Sequence, residues 1–444
     1  MEVLVYTQRL TSRVDYTIKF IFEDILGVKV RITSSYSEAK LHNGVLISYC
    51  MLAVKEGIHI VPHSIMVEDS VERQKIELFE WEGLPAFFRT SRESDIPFDL
   101  FAATFYLISR YEEYLLFVPD RHNRFPAEQS IAYKGGFLNE PIVDVWAYQL
   151  VNKIKARFPS FQINPRKFEF IPTIDVDSAY AYRYKGVERA FLGTLRSLLT
   201  LKFDDFTRRI LVYLNLRKDP YDIYENAFSI LKSWPKSIWF VLVGRYARYD
   251  RNVSIQQFEM QNLLHRISDR FEVGVHPSYR SGTSFDRVKS EINDISRVLN
   301  KSVVLSRQHF LRFFLPITYT NLALLGIKED YSMGYSECVG FRAGTCTPFK
   351  FYNIKEEKVL DIKVFPFQAM DFTLCERLGL TPEEALDTVL YLVEKVKKVN
   401  GTFVMIWHNE YLSGTSPCKG WENHMPNVLK EVKKIQCGDS SPKA

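Results

Sequence analysis

Asp175 and Asp177, one residue apart at the end of the apolar run FEFIPTIDVD (168–177), are the residues of this chain best placed to do chemistry. Side chains alternate along a strand, so both carboxylates point the same way. Two like charges delivered to one spot by a buried strand are unfavourable unless something positive lies between them, and a bound metal is the simplest candidate. One carboxylate would then hold the metal while the other takes a proton from its water. The bland alternative is a strand end whose acids cap the following turn.

Other polar residues fall in matching places. His276 in VGVHPSY, Arg307 and His309 in LSRQHF, Asp330 in KEDYS, Asp371 in QAMD and His408 in MIWHNE all stand at or just past the end of an apolar run. In parallel α/β folds that rim is where sites are built. His276 reads as a metal ligand, and Arg307 as a partner that keeps Asp175 ionised through a bidentate contact. His309 is either a third ligand or a group supporting one. His408 is either the acid that protonates a leaving amine or a structural histidine under Trp407. Tyr279 and Trp407, beside the two histidines, are expected to contact substrate.

The elements that must carry these residues are legible as strands alternating with helices from about residue 166. Strand-like runs occur at 168–177, 237–243, 271–279, 303–313, 327–335, 360–371 and 401–410. Helices are expected after Ser254 with Gln257 as box partner, from Ser284 to about Asn300, after Thr381 with Pro382 and Glu384 completing a capping box, and from about Trp421 to Ile435. Some seven strand–helix units favour a parallel sheet closed into a barrel. Residues 1–165 read as a smaller α+β domain without evident chemistry, 166–437 as the barrel and 438–444 as a flexible tail. In the first part a helix is expected with Ser12 as cap, Asp15 closing its box and Gly27 at its exit, and another from near Asp99 with Arg110, Glu112 and Glu113 on a solvated face.

With 46% hydrophobic and 25% charged residues the 444-residue composition is that of a soluble globular protein. The net charge of +5 reads as evenly interspersed, so no nucleic-acid partner is implied. No apolar run approaches the ~18 residues of a membrane span. The opening MEVLVYTQRL lacks a secretory pattern, and six cysteines without C-x-x-C spacing read as free thiols. A cytoplasmic location is the expectation.

The order of motifs over about 168–415 resembles the polysaccharide deacetylases of carbohydrate esterase family 4, the NodB-homology fold. TIDVD resembles the first family motif, which makes Asp175 the base and Asp177 a metal ligand. GVHPSYRS lies where the family keeps its histidine motif, matching His276. SRQHFLRF, EDYSMGY and IWHNE resemble later motifs, matching Arg307, Asp330 and His408 as base partner, substrate-side acid and catalytic acid. The extra N-terminal part and phrases such as GFRAGTCTPF resemble a deacetylase-related group of Bacteroidota. One departure stands out: the family's second histidine, four residues on, is Arg280 here. The resemblance implies a distorted (β/α)7-type barrel that hydrolyses an N-acetyl or similar amide on a carbohydrate. Its cofactor would be zinc, or cobalt, nickel or iron, held by Asp177, His276 and His309. The competing expectations are a catalytically inactive barrel that binds a glycan or protein, and a glycosyltransferase using the D-x-D pair.

Overall fold

The computed structural model describes residues 2–90, 93–415 and 419–437. The first part carries a four-stranded sheet of β1 (Glu2–Thr7), β2 (Lys29–Thr33), β3 (Val45–Tyr49) and β4 (Ile58–Ile60) in the order β2-β1-β3-β4. Every pairing in it is parallel, so this part is α/β in type and not the α+β unit expected. The reason shows in β1 and β3, whose residues are buried on both faces as in sheets covered by crossover helices. A short hairpin, β5 (Phe79–Trp81) and β6 (Leu84–Ala86), follows.

The second sheet has nine strands. They are β7 (Glu169–Val176), β8 (Ile238–Val241), β9 (Glu272–Val275), β10 (Leu305–Ser306), β11 (Glu329–Asp330), β12 (Phe349–Asn353), β13 (Lys358–Val364), β14 (Ala369–Met370) and β15 (Thr402–His408). Their order is β12-β13-β11-β10-β9-β8-β7-β15-β14. All pairs are parallel except the edge pair β12–β13, and no pairing among the described residues joins β12 to β14. The closed barrel expected is therefore an open sheet. It is nonetheless curled: Ile171, Ile238, Phe240, Leu305, Tyr331, Met370, Val404 and Ile406, from strands across the sheet, form one interior cluster. Residues one step along, such as Phe170, Ile174, Trp239 and Met405, belong to the larger cluster under the helices.

Pro172 interrupts the donor row of central β7, and the neighbouring Thr173 hydroxyl donates to the Met405 carbonyl at 2.7 Å, a bond that a proline N–H cannot make. The predicted capping box forms at Thr381 and Glu384, with Pro382 in the first turn of helix Pro382–Lys398. The other two boxes do not form. Thr11, not Ser12, caps the first helix, and Gln257 caps helix Phe258–Ser268 without a side-chain bond. Gly27 leaves its helix at φ +63°, where a Cβ would meet the Asn164 carbonyl oxygen.

Arg110 and Glu112 are buried instead of solvated, and Glu113 is half-buried: Arg110 pairs with both glutamates, and Arg342 shares Glu113. The two sheets are bound by one contiguous apolar cluster reaching from Val3 to Ile435. Cys50, Cys338, Cys346 and Cys437 are free, whereas Cys375 is disulfide-bonded, against the expectation of six thiols. Spacing in sequence does not reveal which cysteines meet in space. Disulfides persist in oxidising surroundings, so the cysteine argument for a cytoplasmic location falls away. Cys418 and the 438–444 tail lie outside the described residues.

Candidate active site

Period-two alternation delivers the site. On β7, Ile171, Thr173, Asp175 and then Asp177 follow one face, and on β15 Val404, Ile406 and His408 follow the facing interior. His408 is in register with Asp175. Backbone pairing continues past the strand ends, with Arg307 N donating to the Val275 carbonyl and His276 N to the Val241 carbonyl, each at 3.1 Å. Asp175, His276, Arg307, His309 and His408 are thereby brought together at one rim.

Asp175 Oδ1 accepts from Arg307 Nη1 at 2.7 Å, and the same nitrogen donates to Thr173 Oγ1 at 2.8 Å. Arg307 Nε donates to the Tyr331 carbonyl at 2.9 Å and its guanidinium lies over the Phe240 ring. The contact expected to be bidentate is thus a single bond through Nη1, while Nε is committed to the backbone and buried Nη2 has no hydrogen-bond partner among the described residues. Arg307 is fully buried, so its charge acts on Asp175 with little screening.

Asp177 stands between two histidines. Its Oδ1 is 3.1 Å from His276 Nε2, and its Oδ2 is 3.4 Å from His309 Nε2. His276 Nδ1 lies 2.5 Å from the Arg307 carbonyl. A carbonyl only accepts, so Nδ1 carries the proton, and in the neutral ring Nε2 presents a lone pair to Asp177. Two acceptors then face each other, and Asp177 Oδ1 is a buried oxygen without a hydrogen-bond partner. A cation between them resolves that contact. His309 Nδ1 sits 2.9 Å from Asp250 Oδ1, the arrangement by which a carboxylate orients a ligating imidazole.

The donor atoms of Asp177, His276 and His309 all lie within 4.8 Å of one another. Two imidazole nitrogens and a carboxylate with an open side fit zinc, cobalt, nickel or iron. Arg280 is exposed, and the third donor comes from His309 at the neighbouring strand end. Burial alone would lower the His309 pKa, but Asp177 and Asp250 on its two nitrogens raise it to about 9. Burial would raise that of Asp177, but the charge of His309 holds its carboxyl well below the ordinary range.

Across the cavity Asp371, fully buried, grips His408 twice. One oxygen is 2.6 Å from His408 Nδ1 and the other accepts from its backbone N–H at 2.7 Å. Burial works against the His408 charge, yet Asp371 together with Asp177 and Asp175 lifts its pKa to about 10. The ring is held protonated, with Nε2 free to face the cavity.

The cavity encloses about 360 Å3 and is lined by Asp175, Asp177, His276, His309 and His408. Three residues expected to contact substrate are not among its lining. Asp330 is locked by the Ser306 and Ser332 hydroxyls on the face opposite Tyr331, and Trp407 points away from His408 into the helix-side core. Both follow from alternation along a strand. Tyr279 stands behind His122, its hydroxyl 3.2 Å from His122 Nδ1. The Ser278 amide donates to Glu291 Oε2 at 2.9 Å.

Other lining residues have no signal in the sequence pattern. Arg121, His122 and Arg124 come from the first part of the chain, where no chemistry was expected. Arg124 is tied to the barrel-like part by the Phe310 carbonyl and Glu337. Glu410 was legible only as the residue two beyond His408; burial, then the charge of Asp177, pushes its carboxyl up to about 7. Asp250 lies in an irregular loop after β8, which strand periodicity does not reach.

Residues 3–159 match a family described as a family of unknown function, DUF7033. Comparison with curated proteins gives no match. Among solved structures, a protein assigned as a polysaccharide deacetylase from Mycobacterium smegmatis aligns at 13% identity and a TM-score of 0.40, over 63% of this chain and 93% of that one. The polysaccharide deacetylase Bc1974 from Bacillus cereus aligns at 13% identity and 0.28, over 61% and 89%. A family 4 carbohydrate esterase pseudoenzyme from Bacillus anthracis aligns at 10% and 0.31, over 61% and 63%.

Proposed function

We propose that the protein is a metal-dependent hydrolase that removes N-acetyl or similar acyl groups from a carbohydrate. The observation that carries this reading is the convergence of Asp177, His276 and His309 in a cavity flanked by Asp175 on one side and His408 on the other. A divalent cation held by those three residues would polarise the amide carbonyl and acidify water. Asp175, ion-paired with buried Arg307, accepts the proton of the attacking water. His408, kept protonated by Asp371, donates a proton to the departing nitrogen. A cavity of about 360 Å3 is of the size that encloses a small ligand.

The inactive-barrel reading rests on Arg280, and the nearness of His309 to Asp177 and His276 supports the hydrolase instead. A glycosyltransferase would leave the paired His408 and Asp371 without a task. The test is acetate release from N-acetylated oligosaccharides by protein reloaded with zinc, cobalt or nickel after chelation. Asp175→Asn should reduce release about 100-fold or more, the range of general base catalysis. A metal-loaded wild type that releases no acyl group from any such sugar, while still binding it, would establish the inactive alternative.

A further inference from the structure

Between β7 and β8 the chain forms two helices, Val187–Leu199 and Phe203–Tyr213, packed on each other as a hairpin. The first turns its apolar residues outward, whereas of those on the second only Phe203 is exposed and Phe206, Ile210 and Leu211 are half-buried. The only buried residue of the first is Ser197 and of the second Val212. The side turned to the protein is polar: Asp205 accepts from the Ser197 hydroxyl, from the Tyr182 hydroxyl at 2.7 Å and from Arg209 Nε at 2.9 Å. Arg209 and Arg189 lie over the rings of Tyr182 and Tyr246. The apolar stripe faces outward, with Phe191 66%, Leu192 61%, Leu199 73% and Leu201 72% exposed, flanked by Val187, Phe203, Leu214 and Leu216. Water is a poor neighbour for so contiguous a patch.

Charge says what covers it. Residues 183–218 hold nine Lys and Arg against three Asp and Glu, a surplus of six where the whole chain has a net charge of +5. The even spread of charge read from the sequence does not hold here: the rest of the chain is close to neutral, and the excess positive charge sits on the hairpin, with five Lys and Arg against three Asp and Glu, together with the four basic residues that flank it. A second copy of the chain would bring the same surplus to the contact and be repelled. An outward apolar stripe with basic residues around it matches the interface of an anionic bilayer. Neither helix is long enough to span one, and among the described residues no helix is long and apolar enough to cross a membrane.

We propose that the 187–213 hairpin is a peripheral anchor that lays its apolar side into an anionic phospholipid surface. A groove of about 990 Å3 beside it is lined by Lys185, Lys202, Arg208 and Arg209 together with Asp204, Asp205 and Glu410. Glu410 also lines the catalytic cavity, so the anchor and the site adjoin.

The test is cosedimentation of the full chain with vesicles of phosphatidylcholine containing about one-third phosphatidylglycerol, compared with phosphatidylcholine alone. The expected result is association with the anionic vesicles only, weakened about 10-fold or more when salt rises from about 0.1 M to about 0.5 M. The double variant Phe191→Asp/Leu199→Asp should lose about 10-fold or more in partitioning, since two apolar side chains no longer leave water. Both positions are exposed, so circular dichroism and melting temperature should match wild type. Should the double variant misfold, Arg196→Glu/Lys202→Glu reads the charge contribution alone and should give a comparable loss. No wild-type association with anionic vesicles overturns the proposal. So does equal binding by properly folded variants, or a dimer in light scattering that Phe191→Asp/Leu199→Asp abolishes, which would assign the patch to a second copy.

Discussion

His408 and Asp371 show how a buried carboxylate, backed by Asp177 and Asp175, keeps a neighbouring imidazole protonated. The His408 pKa is raised in the fold from an ordinary 6.5 to about 10. The stabilisation from this pair is therefore fully present below pH 6.5 and lost as pH rises through about 10. Asp371→Asn removes the main attraction, so the alkaline limb of the pH–rate profile should move to lower pH while the acid limb stays. An unmoved alkaline limb would mean that another group donates the proton. Arg307 is structural, being fully buried and bonded to Asp175, Thr173 and the Tyr331 carbonyl. Arg307→Ala strands a buried carboxylate and should lower stability by about 3–5 kcal/mol, read from urea denaturation. A loss of activity without loss of stability would show that Asp175 finds another partner.

At the scale of elements, Gly274 on β9 is a junction between packing and chemistry. A Cβ there would approach the Phe240 ring to 2.5 Å and the Leu305 carbonyl to 3.0 Å. Phe240 in turn lies under the Arg307 guanidinium, 4.4 Å from its centroid. Gly274→Ala should cost about 1–3 kcal/mol of stability by overpacking and lower activity through Arg307. Wild-type values of both in the variant would show that the strand yields. The strand ends around this point were legible because each combines an apolar run with a polar stop. The Thr381 cap was legible because its whole box lies within four residues. Asp250, the antiparallel edge strand β12 and the direction of the 187–213 hairpin were not, since each depends on contacts made across the fold. Asp330 and Trp407 were misplaced for a simpler reason: a rim position says how high a residue sits, and only strand parity says which way it faces.

For the whole molecule, the contiguous core implies that the two sheets fold together. Asp144, fully buried in helix Ile142–Arg157, accepts from the Thr345 hydroxyl and the Cys346 amide at 2.7 and 3.0 Å, and also from the Thr347 hydroxyl. Asp144→Ala should destabilise by about 3–5 kcal/mol while unfolding stays a single transition seen alike by all probes. Two separate transitions would show that the halves are independent. The first part of the chain also supplies Arg121, His122 and Arg124 to the cavity, so the site belongs to the assembled molecule.

The most direct measurement on that site is metal content by mass spectrometry of the purified chain after equilibration with zinc, alongside Asp177→Ala, His276→Ala and His309→Ala. One tightly held ion per wild-type chain, lost in each variant at unchanged melting temperature of the metal-free forms, is the predicted result. A wild type that holds no ion, or variants that hold it as well, would contradict the three-residue centre on which the proposed chemistry stands.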